Sequence, residues 1–87
     1  MNDKDLMAEI QVGAYFISRE GLSYNDLCYR LAQTELEIQH EKLCTHKDNC
    51  LKAEEIFNSY LTYDELCWLI AELETLRKKN YFSANKE

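Results

Sequence analysis

Two histidines and two cysteines gathered over residues 40–50, His40-x3-Cys44-x-His46-x3-Cys50, are the side chains of this sequence best suited to chemistry. Imidazole nitrogens and thiolates are what zinc takes as ligands, four at a time in a tetrahedron. His40 and Cys44 would share one helix face at i, i+4. His46 would stand about 240° around a continuous helix from His40, at ~100° per residue. All four therefore converge on one ion only if the chain turns near Thr45. The short C-x2-C knuckles of common zinc sites are missing. The plainer expectation is a polar helix end with no cofactor, and a small zinc-binding protein using His40, Cys44, His46 and Cys50 is the alternative.

The other two cysteines, Cys28 and Cys67, each follow a leucine in similar surroundings. Small buried thiols behave as compact hydrophobes, and the flanking acids disfavour the thiolate that a redox pair would need. Enzyme machinery is not expected. No glycine loop could cradle a phosphate, and neither a nucleophile elbow nor a His-Glu-x-x-His pattern occurs.

Binding is the better prospect. Tyr24, Tyr29, Tyr63 and Trp68 fall in the first turns of two helices, and such aromatics dominate interaction hot spots. Their bland reading is a rim around the core. Glu72 and Glu74 belong to a stretch, residues 61–76, that also holds Asp64 and Glu65 but neither Lys nor Arg. They are the acids most able to meet a basic partner. The net charge is −6 and the one basic cluster is Arg77-Lys78-Lys79. Nucleic-acid binders carry a basic face, so direct DNA or RNA binding is not expected. A helix-turn-helix reading of Gly21-Leu22-Ser23 fails on the same charge. The first residues are polar and the longest apolar run is short. Neither a secretory leader nor a membrane span is expected, which places the chain in the cytoplasm with reduced cysteines.

The elements that must position these residues follow from punctuation. Proline is absent and glycine occurs only at Gly13 and Gly21, too little turn chemistry for a sheet. Leu22-Ser23-Tyr24-Asn25-Asp26-Leu27-Cys28 recurs thirty-nine residues later as Leu61-Thr62-Tyr63-Asp64-Glu65-Leu66-Cys67. Ser23 and Thr62 are N-caps, and Asp26 and Glu65 stand three residues on, where an acid can bond back. Leu22 with Leu27, and Leu61 with Leu66, are spaced as hydrophobic staples.

Four helices are predicted from these starts. The first runs from about Asp3 to Glu20, with Gly21 beyond its end. Its stripe is Leu6, Ile10, Ala14 and Ile17, flanked by Met7 and Phe16, although Ile10–Ser18 is rich enough in β-formers for a strand. The second starts at Tyr24 and reaches at least Leu43. A third is capped by Asp48 or Asn49 and carries Ala53, Ile56, Phe57 and Tyr60. The last runs from Tyr63 to about Lys79 with Leu66, Leu69, Ile70, Leu73 and Leu76 on one side.

The fold class expected is all-α: a compact bundle of three to four helices over residues 1–80, with 81–87 a flexible tail. An internal helical repeat is open. A homodimer is expected from the small size and the wide stripe of the last helix. The function expected is a non-enzymatic protein–protein interaction module acting as a regulator, adaptor or inhibitor. Its sharper variant is an acidic phage or mobile-element inhibitor lying in the basic groove of a nucleic-acid-binding protein, an analogy of size and charge.

Overall fold

The computed structural model describes residues 3–40 and 45–79 of the 87. They form four helices and, among the described residues, no strand: α1 (Asp3–Ser18), α2 (Tyr24–His40), α3 (His46–Phe57) and α4 (Tyr63–Lys78). The all-helical bundle expected from sequence is what forms, and the β-formers of Ile10–Ser18 are helical. Both Leu43, the expected reach of α2, and the tail from residue 81 lie outside the described residues.

Helix starts follow the cap chemistry. Thr62 Oγ1 accepts from Glu65 N at 3.0 Å and Glu65 Oε1 accepts from Thr62 N at 2.8 Å, a capping box closed in both directions. At α2 the Ser23 hydroxyl accepts from Asp26 N at 3.0 Å. The cap of α3 differs from expectation. Thr45 takes that place, its hydroxyl accepting from Asp48 N at 3.1 Å, and Asp48 and Asn49 lie inside the helix. The hydroxyl wins because Thr45 stands in extended backbone three residues before Asp48, the geometry a cap requires.

The first helix packs on the last, α1 on α4, while α3 packs on its neighbour α2, and α2 also packs on α4. The core is correspondingly drawn from all four: Ile10 and Ile17, Leu27, Cys28, Leu31 and Ala32, Ile56, and Leu66, Cys67, Ile70 and Ala71. Gly13 lets α1 approach α4 closely, since a Cβ there would stand 3.3 Å from the Ala71 Cβ.

Two turns connect α1 to α2 and α3 to α4. Gly21 in the first has φ 76° and Tyr60 in the second has φ 62°. Tyr60 therefore leaves the apolar face assigned to it: it lies in the turn and is 87% exposed. Phe57, also assigned to that face, is exposed and lies edge-on to Tyr24 with ring centroids 5.6 Å apart. Conversely Asn49, expected at a helix end, is buried.

Candidate functional site

The His/Cys cluster is brought together in part. His40 ends α2 and is exposed; Cys44 lies outside the described residues. His46 and Cys50 sit one turn apart on α3, and Cys50 Sγ is 3.3 Å from His46 Nε2. The opposite ring nitrogen, Nδ1, is 2.8 Å from the Tyr29 hydroxyl, so both nitrogens of His46 are engaged. Asn49 Nδ2 donates to the same hydroxyl at 3.4 Å. This chain of contacts fastens α3 to α2. Among the described residues no three His, Cys, Asp or Glu side chains gather as metal ligands would.

Cys28 and Cys67 are both buried free thiols. Burial raises the Cys28 pKa. Burial and then the charge of Asp64 raise that of Cys67. Both are thus held in the thiol form.

The four aromatics are half-buried and occupied. Tyr24 donates to the Leu61 carbonyl and Tyr63 donates to the Leu22 carbonyl, joining the two turns. Tyr29 holds His46, and Trp68 packs against the core.

The acids are largely spoken for. Arg30 reaches both oxygens of Glu74 at 3.1 and 3.2 Å and Glu20 at 3.1 Å. Partial burial works against the Arg30 charge, but the hydrogen bond and charge of Glu74, followed by Glu20, hold its pKa above the ordinary value. Arg77 binds Glu37 at 2.9 Å, and Lys79 binds Glu9 at 3.1 Å. A groove of about 630 Å³ between α2 and α4 is lined by Arg30, Glu37, Glu74 and Arg77 among others. Both carboxylates in it are clamped by arginines from the facing helix, an arrangement suited to holding helices together.

What remains is the outer face of α1, opposite the side that packs on α4. Met7, Val12, Tyr15 and Phe16 are each more than half exposed, Phe16 at 61%. Ala8 and Gln11 lie beside them, also exposed. Arg19 closes the far end, its guanidinium over the Tyr15 ring and donating to the Tyr15 hydroxyl at 2.9 Å. A helix apolar on both sides has one side to spare. Sequence reading took Met7 and Phe16 as flanks of the core stripe and did not single out this second face. The signal was present: Ala8, Val12 and Tyr15 fall outside the spacing of Leu6, Ile10, Ala14 and Ile17. Meanwhile α4, whose stripe suggested a spare surface, is covered: Leu66 and Ile70 are buried, and Leu69 and Leu73 are packed against the core.

Among the described residues no helix is long and apolar enough to cross a membrane. Comparison with protein-family models, with curated proteins and with solved structures finds no match for the chain.

Proposed function

We propose that the chain is a non-enzymatic protein–protein interaction module, a regulator, adaptor or inhibitor of what it binds, with the outer face of α1 as its binding element. The observation that carries this reading is the exposure of Met7, Val12, Tyr15 and Phe16 together on one helix. Half of a Tyr or Phe side chain is roughly 100 Å², and removing that from water is worth about 2.5 kcal/mol. Val12 and Tyr15 lie on the outward side of α1 with Met7 and Phe16 on its two flanks, and exposed apolar surface of this kind marks interaction sites on soluble domains. The acidic-inhibitor variant draws less support, because Glu74 is neutralised by Arg30 within the fold.

The test is a photo-crosslinking residue placed at Phe16 in the living host, with one at Glu55 on α3 as control. A discrete adduct from position 16, lost when Val12→Asp is added, is expected. Equal labelling from both positions, or none from position 16, would overturn the reading.

The chain is further read as two copies of a unit of two successive helices, repeated with an offset of thirty-nine residues. Support comes from matched burial at Ile17 and Ile56, Leu27 and Leu66, Cys28 and Cys67, and Ala32 and Ala71. The positive φ of Gly21 and Tyr60 falls on the same offset. A cytoplasmic setting is part of the proposal, supported by the free thiols of Cys28, Cys50 and Cys67. Alkylation of freshly lysed cells should find these three reduced; a disulfide at any of them would count against that setting.

A further inference from the structure

We infer that the fold is a fused dimer of helix pairs, in which the α1–α2 unit of one molecule is a binding partner for the α3–α4 unit of a second copy. Beyond the match of positions that the repeat reading gives, the two units hold each other together. The helix pairings run between them: α1 on α4, α3 on α2, and α2 on α4. Among the described residues neither unit packs substantially on itself, so each depends on the other for its core.

The arrangement is that of a two-fold dimer. An offset of thirty-nine residues exchanges α1 with α3 and α2 with α4. Under that exchange the contact of α1 with α4 becomes the contact of α3 with α2, and the contact of α2 with α4 becomes itself. The hydrogen bond from Tyr24 to the Leu61 carbonyl becomes the one from Tyr63 to the Leu22 carbonyl. One pair of positions meeting twice, once in each direction, is the mark of an isologous interface. Here that interface lies inside one chain.

Each unit is built for the other and not for its own kind. Glu37 of the first unit binds Arg77 of the second at 2.9 Å, and Arg30 of the first binds Glu74 of the second at 3.1 Å. Two copies of the second unit would set Leu76 opposite Arg77 and Leu69 opposite Glu74, because these leucines stand thirty-nine residues after Glu37 and Arg30. They would also set Lys52, the equivalent of Gly13, against Ala71, where Gly13 leaves no room for a long side chain. The unit that fits α3–α4 is therefore α1–α2.

Residues 41–44 join the units within one chain. A short connection holds its ends at an effective concentration on the order of 1 mM, so an intact copy pairs with itself in more dilute solution. A copy with one damaged unit has only a second molecule as partner. Leu27, Leu31 and Leu66 are buried, and a carboxylate in such a place unfolds the unit that carries it.

The test uses full-length variants at roughly 0.1 mM, below that effective concentration. Leu27→Asp is damaged in the first unit and Leu66→Asp in the second, and each alone should show little helical circular dichroism. Mixed in equal amounts, they should recover about half of the wild-type signal, since half of the units present are intact and pair by mass action. The recovered species should sediment at twice the 10.3 kDa chain mass. Leu27→Asp mixed with Leu31→Asp, both damaged in the first unit, should gain nothing. No gain from the first mixture, an equal gain from the second, or that much signal from any one variant alone would overturn the inference. The crosslink at Phe16 is independent of these results, because the outer face of α1 lies opposite α4 in either pairing. Failure of the mixture leaves the interaction module standing, and failure of the crosslink leaves the pairing of units standing.

Discussion

Tyr24 and Tyr63 are tied crosswise. Each is the first residue of its helix, and each donates its phenolic hydrogen to the carbonyl two residues before the other, Leu61 for Tyr24 and Leu22 for Tyr63. The cap carbonyls of Ser23 and Thr62 already serve Leu27 N and Leu66 N. The leucine carbonyls before them lie outside the helices and take the phenols as partners. Tyr24→Phe and Tyr63→Phe should therefore each cost about 1 kcal/mol in urea denaturation, a typical net hydrogen bond. The double variant should cost less than the sum, because losing one tie loosens the same pair of turns that the other spans. Stabilities within 0.3 kcal/mol of wild type, roughly the additivity error of such measurements, would show the ties to be idle.

The second turn holds a non-glycine residue where the first holds glycine. Tyr60 at φ 62° carries a side chain that is 87% exposed, so its ring recovers little by contact. An L-residue in the left-handed region costs about 1–2 kcal/mol, partly offset in a Tyr60→Gly variant by the greater freedom of the unfolded chain. The expected result is a gain of about 0.5–1 kcal/mol in equilibrium denaturation. Gly21→Ala should do the reverse and lose about 1 kcal/mol. That loss would be conformational, because a Cβ at Gly21 meets nothing within 4 Å. A stabilised Gly21→Ala or a destabilised Tyr60→Gly would contradict the backbone account.

Helix starts were legible because their chemistry is local. The Leu22 and Leu61 segments each carry cap, acid and staple within six residues, and both start helices where expected. The start of α3 was misplaced although Thr45 and Asp48 have the same spacing; no staple accompanied them, and Asp48 and Asn49 are cap formers in their own right. Tertiary choices were less legible. Nothing in the residues near Asn49 says that it will be buried beside Tyr29, twenty positions earlier. The pairing of α1 with α4 also depends on a long-range match of small residues, Gly13 with Ala71. Periodicity located the inner stripe of α1 but not its outer face, because a helix apolar on both sides blurs its own pattern. Of the residues singled out for binding, Tyr24, Tyr63 and Glu74 proved to have partners inside the fold.

Gly13 sets the spacing between α1 and α4. A helix interior favours Ala over Gly by about 1 kcal/mol, yet the added methyl would stand 3.3 Å from the Ala71 Cβ. Leucine at this position cannot be accommodated by a few tenths of an ångström of movement. Gly13→Leu should cost about 1–3 kcal/mol, as overpacking does. Its signature should be local, with faster amide exchange along α1 than along α3. Unchanged or slower exchange along α1 would show instead that the gain in helix propensity outweighs any clash at Ala71.

Alkaline pH should weaken the fold through groups that the core keeps protonated. Burial raises the Cys28 and Cys67 pKa values above the ordinary 9.0, Asp64 adding to the effect at Cys67. Partial burial, then the charges of Cys28 and Glu65, raise that of Tyr24 above 10.0. In each case the folded chain holds its proton to higher pH than the unfolded chain does. Their contribution to stability is therefore complete below the unfolded values and is lost as pH rises toward the folded ones. Urea midpoints under reducing conditions should be level from about pH 7.5 to the ordinary thiol value and fall above it. Cys28→Ala with Cys67→Ala should lower the midpoint at neutral pH, since two buried sulfur atoms are lost, yet flatten the fall that begins near 9.0. The decline that survives in this double variant should begin later, where Tyr24 ionises. Parallel curves for the two proteins would assign the alkaline weakening to groups other than the buried thiols.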